Sequence, residues 1–155
     1  MKTPKASTPT LPTDTLKLVA LDQDDLAVVS AHLQDAVVKI GDFAWLPREK
    51  RFALVCNRFD WEGAVGGLRR RRRTGLHFDR VQRVRQTKVR TGADEAVLNL
   101  LAVTFDLTDD PSGIVTLVFS GGAAIRLEVE CLECQMSDLG PVWETMSAPT
   151  HETDS

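Results

Sequence analysis

The feature that most constrains the fold is a succession of strand patterns in the second half of the chain. Residues 96–107 are almost wholly apolar, which is typical of a strand covered on both faces. A turn containing proline and glycine at residues 109–113 leads to a second apolar strand at 114–119. After a Gly-Gly pair at 121–122, apolar and charged residues alternate up to Cys131, as in a strand with one solvated face. These patterns predict an antiparallel sheet.

One helix is predicted near the N-terminus, after a short strand at residues 16–21. It starts at Asp22, a typical N-cap residue. Its apolar positions recur on one helical face and are Leu26, Val29 and Leu33. From Ala36 onward the apolar period becomes extended, and a charged loop after Pro47 separates two strand patterns. Residues 36–57 therefore predict a β-hairpin.

We expect an α+β fold in which the N-terminal helix packs on a strongly curved, mostly antiparallel sheet of about seven or eight strands. The sheet is expected to be either an open sheet or a small barrel. A pleckstrin-homology-like barrel is the named alternative, but that fold normally closes with a long C-terminal helix. Residues 141–146 supply only about one helical turn, so an open sheet or a small barrel plugged by the helix fits better.

Length and composition fit a single soluble domain. The 155 residues are 43% hydrophobic and carry a formal net charge of -3, which excludes intrinsic disorder for most of the chain. Residues 1–14 and 147–155 are predicted to be disordered tails that flank one domain at residues 15–146. The chain shows no secretory signal and no apolar run long enough for a membrane span. Its three cysteines are an odd number, which argues against a framework of disulfide bonds. A reducing compartment, the cytoplasm, is therefore expected.

The charge distribution is the most informative feature for function. The basic segment, defined as residues 69–90, contains ten basic residues and one acidic residue, a formal charge of +9. The rest of the chain holds nine basic and 21 acidic residues, a formal charge of -12. Interleaved apolar residues predict that the basic segment folds as a β-hairpin. The predicted anion-binding or partner-binding residues are Arg69, Arg70, Arg71, Arg72, Arg73, Arg80, Arg83, Arg85, Lys88 and Arg90, together with the neighbouring Trp61.

Two interpretations of the basic segment compete. Guanidinium groups bind carboxylates and phosphates bidentately, so the segment could bind an acidic protein, a second copy of the chain or nucleic-acid phosphates. Alternatively, the arginines are neutralised within the molecule by Glu128, Glu130 and Glu133. The segment contains one aromatic residue, Phe78, and the chain has no tyrosine. That scarcity disfavours sequence-specific RNA recognition, which uses exposed aromatic platforms.

Residue types that support catalysis or metal binding do not form a recognised motif. Cys131 and Cys134 form a C-x-x-C pair, but they lie at the end of a strand and no second pair completes a zinc site. The alternation of apolar residues shifts at Leu132, which predicts a β-bulge that can turn both sulfurs toward the core. His32 and His77 lack a visible catalytic partner. We therefore predict no catalytic, cofactor-binding or metal-binding residue.

Four segments together resemble a bacterial family of unknown function. These segments are residues 16–22, 25–37, 43–52 and 57–61. They are similar to members of the domain of unknown function 2948 family, over roughly residues 15–146. The resemblance implies no activity, cofactor or catalytic residue.

The function that the sequence favours is a non-enzymatic cytoplasmic interaction module. Its arginine-rich β-hairpin is expected to bind an acidic protein surface or to pair within a homodimer. The alternative is nucleic-acid binding, in which the same segment contacts the phosphate backbone. An enzyme is a third hypothesis, and it requires a pocket that brings His32, His77 or Cys56 close to a carboxylate.

Overall fold

The computed structural model describes residues 15–61, 64, 67 and 70–144, and these contain ten β-strands, the α-helix named below and two short 3-10 helices at Ile40–Asp42 and Ser120–Gly122. The predicted tails at 1–14 and 147–155 lie outside the described residues. The helix is α1 (Gln23–His32). The strands are β1 (Lys17–Ala20), β2 (Ala36–Lys39), β3 (Phe43–Leu46), β4 (Arg51–Phe59), β5 (Arg70–Phe78), β6 (Val81–Thr87), β7 (Val97–Leu107), β8 (Gly113–Phe119), β9 (Ala124–Val129) and β10 (Cys134–Glu144).

The helix begins directly after its N-cap and packs through one apolar face. The carboxylate of Asp22 accepts a hydrogen bond from the backbone N–H of Asp25 at 2.8 Å, which satisfies one amide of the first turn. The apolar stripe of α1 is buried. The backbone N–H of Val103 donates to Ser30 Oγ at 2.9 Å. This bond fixes α1 against β7.

Every strand pair in the sheet is antiparallel, and the strand order is β1-β10-β5-β4-β2-β7-β8-β9-β6, with β3 paired to β4 beside this path. In the described residues the end strands β1 and β6 do not pair with each other, so the sheet is open. The α+β prediction is confirmed. The barrel alternatives, including the pleckstrin-homology-like one, are wrong, and there are ten strands because short segments such as β2 and β3 pair separately.

The core lies on the inner face of the sheet. One apolar cluster contains Ala20 from β1 and Val81 from β6, together with buried side chains of the central strands and α1. The two ends of the sheet therefore contribute to a single core, which requires the sheet to curve around it. Aromatic packing joins distant strands, since the rings of Phe43 and Phe119 meet edge to face with centroids 5.7 Å apart.

The strand β7 is covered on one face only. Leu100 and Val103 are buried, whereas Val97 and Leu101 are 56% and 41% exposed. The prediction that this strand is covered on both faces is therefore wrong. The apolar run is continuous in sequence, but only part of it is buried, and a register shift between Leu100 and Ala102 interrupts the alternation of buried and exposed residues.

Two further features of the structure differ from the predictions made from the sequence. The predicted bulge at Leu132 is a break between β9, which pairs with β8 and β6, and β10, which pairs with β1 and β5. The shift in alternation therefore marks the transfer of the chain to another part of the sheet. Within residues 36–57, β3 and β4 form the hairpin, while β2 pairs along its whole length with β7.

Candidate functional site

The basic segment is divided between two strands that lie apart in the sheet. β5 lies between β4 and β10, whereas β6 is at the end of the sheet and pairs with β9. The chain passes from one to the other through Asp79 and Arg80, and Arg80 has a φ of 64° in the left-handed region. The prediction of an arginine-rich β-hairpin is therefore wrong. β5 is already paired on both edges, with β4 and with β10, so β6 pairs with β9 instead.

The arginines of β5 point alternately to the two faces of the sheet. Arg72 is buried on the inner face next to Thr74, while Arg73 on the other face is exposed. Arg71 is half-buried. Arg69 lies outside the described residues. Only part of the arginine run therefore faces solvent, and Arg72 cannot contact a partner in this fold.

A buried ionic cluster surrounds Arg72. We define the cluster as Arg58, Asp60, Arg70, Arg72 and Asp138. Arg58 forms a bidentate pair with Asp138, in which Nε and Nη2 each donate to a carboxylate oxygen at 2.9 Å. The two side chains are 1% and 0% exposed. This geometry satisfies the planar guanidinium fork and offsets part of the cost of burying the charges.

The β5 arginines in the cluster are held by Asp60. Arg70 Nη2 donates to Asp60 Oδ2 at 2.6 Å, and Arg72 Nη2 lies 3.5 Å from the same oxygen. Arg72 Nε is also 3.9 Å from Asp138 Oδ2. Here the interpretation of internal neutralisation applies. The acids involved are Asp60 and Asp138, which the sequence reasoning did not consider.

The environment of Asp138 keeps its carboxylate ionised. Burial alone would raise the pKa of Asp138, but hydrogen bonds from Arg58, the backbone N–H of Leu16 and the Thr74 hydroxyl hold it below the ordinary value. The last two bonds measure 2.8 Å and 2.7 Å. The carboxylate therefore links three parts of the chain, which are the residue just before β1, the strand β4 and the strand β5.

Arg71 and Trp61 make contacts within the molecule on the other face of the sheet. Arg71 Nη1 donates to the backbone oxygen of Asn57 at 3.1 Å, and its guanidinium lies 5.9 Å from the ring centre of Phe59. Burial lowers the pKa of Arg71. The Trp61 ring packs edge to face on Phe59, and its N–H donates to the backbone oxygen of Gln34 at 3.1 Å. These two predicted partner residues thus have structural contacts of their own.

The cations of β6 and the loop after it are more exposed. Arg83 and Arg85 share one acid, Glu128, with N–O distances of 4.0 Å and 3.2 Å. Arg80 pairs with Glu133 at 3.3 Å. Lys88 and Arg90 are exposed, and no described carboxylate forms an ion pair with either. Exposed pairs of this kind contribute at most about 1 kcal/mol each, so they leave the side chains available to other anions.

One further cation, on β9, lies next to the exposed arginines of β6. Arg126 on β9 is exposed and lies directly opposite Arg85, so two like charges face each other across the strands. We define the basic face by its five cations, which are Arg83, Arg85, Lys88, Arg90 and Arg126. Sequence reasoning missed Arg126 because it alternates with apolar residues in a different strand and lies outside the basic segment.

The cysteines and histidines do not assemble a reactive site in the described residues. Burial raises the pKa of Cys56 and of Cys134 to about 12, so neither thiol is a nucleophile near neutral pH. His77 Nε2 is 3.6 Å from Asp79 Oδ2, but that carboxylate is engaged by Arg51, whose Nε donates at 2.7 Å. No group of three histidine, cysteine, aspartate or glutamate residues in the described chain is arranged to hold a metal ion.

Comparison with protein families assigns the chain to one of them. A family model described as "Protein of unknown function (DUF2948)" matches residues 16–151. The chain belongs to this family. No curated protein and no solved structure matches the chain significantly. None of the described helices is long and apolar enough to cross a membrane.

Proposed function

We propose that this member of the DUF2948 family is a non-enzymatic interaction module whose basic face binds an acidic surface of another protein. The observation that carries the proposal is the charge balance of that face. Five exposed cations lie on β6, in the loop that follows it and on the adjacent strand β9, and Glu128 is the one described carboxylate that forms ion pairs with them. An acidic partner neutralises the remaining charge and relieves the repulsion between Arg85 and Arg126.

The strand β6 favours a protein over a nucleic acid. Among the described strands, β6 pairs with β9 alone, so its other edge offers backbone donors and acceptors that an extended polypeptide can use. Two-fold pairing of β6 with a second copy of itself is disfavoured, because it brings the arginines of both copies together.

The cytoplasm is the compartment that we propose for this interaction. Cys56, Cys131 and Cys134 are all free thiols in the structure. Free thiols persist most readily where the environment is reducing.

A binding comparison between two polyanions tests the proposal. Fluorescently labelled polyglutamate and a single-stranded oligonucleotide of equal charge are titrated with the protein at low and at physiological salt. We expect tighter binding of polyglutamate. The triple variant Arg83→Gln/Arg85→Gln/Arg126→Gln should weaken it by about tenfold, which corresponds to about 0.5 kcal/mol for each lost contact.

The matched control removes three cations elsewhere on the surface, as Lys17→Gln/Lys39→Gln/Arg48→Gln. It should bind polyglutamate as the unaltered protein does. Equal losses in both triple variants, or no binding to polyglutamate, would overturn the proposal. Tighter binding of the oligonucleotide with a steep salt dependence would support the nucleic-acid alternative instead.

A further inference from the structure

A groove of about 250 Å³ lies between the strands β3 and β6. On the β3 side it is lined by Phe43 and Trp45, and on the opposite side by Gln86 at the end of β6 and by Val89, Thr91 and Asp94 in the loop after it. Phe43, Trp45 and Val89 are partly buried and pack against the core. The groove therefore combines an apolar wall from β3 with a mixed wall, in which Val89 is apolar and Gln86, Thr91 and Asp94 are polar, at a place where the sheet is interrupted.

Both strands that border the groove have an unpaired edge. In the described chain, β3 pairs with β4 and β6 pairs with β9, and neither has a second neighbour. The ends of the groove are tied. The Val81 N–H donates to the Lys50 oxygen at 2.9 Å, and the Gly41 N–H donates to the Asp94 oxygen at 3.0 Å. The gap is thus held at both ends, while the backbone groups between them are open to a partner.

The register of β6 specifies which side chains an added strand must carry. Val84 and Gln86 lie opposite the buried Leu127 and Ile125 and so share the inner face of the sheet, where Val84 is half-buried and Gln86 is exposed at the groove. Arg83 and Arg85 face outward, as the alternation of a strand requires. A strand placed beside β6 continues both faces. Its inward residues meet the groove, and its outward residues meet arginines.

We propose that the groove binds an extended segment of the partner protein in which acidic and apolar residues alternate, and that this segment pairs with the open edge of β6. The inference rests on the proposed function and specifies how the partner is held. The apolar side chains of the segment contact Phe43, Trp45 and Val89. Its carboxylates pair with Arg83 and Arg85, while backbone hydrogen bonds along β6 supply affinity that does not depend on charge.

Two peptides of identical composition test this mode of binding. Both have the length of β6 and contain glutamate and valine only. In one peptide the two residues alternate, and in the other all glutamates precede the valines. We expect the alternating peptide to bind at least about tenfold more tightly, because it alone satisfies both faces. Its binding should also slow amide hydrogen exchange in β3 and β6.

Variants of the groove walls separate this inference from the proposed function. Trp45→Ser and Val89→Ser should abolish the preference for the alternating peptide, whereas Val28→Ser, which removes an exposed apolar side chain on α1, should leave it unchanged. Val89 lies in a loop, so its variant tests the groove even if Trp45→Ser does not fold. If both peptides bound equally and neither slowed amide hydrogen exchange in β6, the proposed binding in the groove would be wrong, while the proposed function of the basic face would still stand. No binding of either peptide would overturn both.

Discussion

The carboxylate of Asp138 accepts hydrogen bonds from the side chains of Arg58 and Thr74 and from the backbone N–H of Leu16. Asp138→Asn leaves the Arg58 guanidinium buried without its counter-charge. We expect the free energy of unfolding to fall by about 3–5 kcal/mol, the cost of breaking a buried ion pair from one side. Urea unfolding followed by circular dichroism measures this change.

The surface pair of Arg51 and Asp79 supplies the control for that prediction. It has similar bidentate geometry, but both side chains are partly exposed. Asp79→Asn should therefore cost at most about 1 kcal/mol. Equal costs for the two variants would show that burial of the Asp138 cluster contributes nothing to stability.

The lowered pKa of Asp138 gives a pH dependence with a defined sign. The folded state holds the proton less readily than the unfolded state, in which an aspartate titrates near 3.9. The stability contributed by ionised Asp138 is therefore complete above about pH 5, and it is lost as the pH falls through the folded-state pKa. The difference in unfolding free energy between the unaltered protein and Asp138→Asn should shrink on acidification. A constant difference down to pH 2 would contradict the assigned hydrogen bonds.

Arg58 and Arg72 had a detectable signal in the sequence, because each continues the alternation of buried residues in its strand. Arg58 continues the alternation of Phe52, Leu54 and Cys56, the inward residues of β4, so the period of a strand already placed it on the buried face. Its partner was not predictable in the same way. Asp138 lies 80 residues further along the chain, and only the order of strands β4, β5 and β10 brings the two together.

At the scale of elements, the turn between β7 and β8 depends on one glycine. A Cβ at Gly113 would lie 2.5 Å from the backbone oxygen of Asp106 and 2.6 Å from the Phe105 ring. Because neither the backbone nor the buried ring can move freely, we expect Gly113→Ala to destabilise the protein by about 1–3 kcal/mol. Thermal unfolding of the purified variant measures the change.

Gly140 is the matched control for this substitution. A Cβ at that position would have no heavy atom within 4 Å, and the backbone is outside the left-handed region. Gly140→Ala should be neutral or slightly stabilising, because alanine restricts the unfolded chain. If both substitutions had the same effect, close packing around Gly113 would not be the cause.

The sequence predicted whether a segment forms a helix or a strand better than it predicted which strands lie side by side. The N-cap at Asp22, the apolar stripe of α1 and the alternation in β9 are local patterns, and the structure contains each of them. The partner of a strand is not local. The turn at Asp79 and Arg80 is as short as a hairpin turn, yet β5 and β6 separate because β5 fills the gap between β4 and β10. The error in the predicted hairpin has this origin.

At the scale of the whole molecule, the sheet divides the basic segment into a buried part and an exposed part. The β5 arginines next to Asp60 and Asp138 form ion pairs among β4, β5 and β10, whereas those on β6 lie at the other end of the strand order. A run of arginines in sequence therefore has two separate physical roles. The formal charge of the segment could not show this division, because charge counts do not depend on which strands are adjacent.

The three free cysteines report whether the sheet opens as one unit. Cys56 on β4 and Cys134 on β10 are 2% and 1% exposed, while Cys131 is half-buried between β9 and β10. In the native protein we expect a thiol reagent to modify Cys131 first. Cys56 and Cys134 should react more slowly and at a common rate, because β4 and β10 both flank β5 and we expect these three strands to separate as one unit.

Mass spectrometry of the Cys131→Ser variant isolates these two slow thiols. Their modification rates should rise together as urea is added. The dependence of the opening free energy on urea concentration should equal that of global unfolding. A faster reaction of Cys134 than of Cys56 would show that β1 and β10 open independently of β5 and β4. Because Asp138 lies on β10 and holds Arg58 on β4, the cluster should prevent that opening, and Asp138→Asn should be the variant in which the two rates diverge.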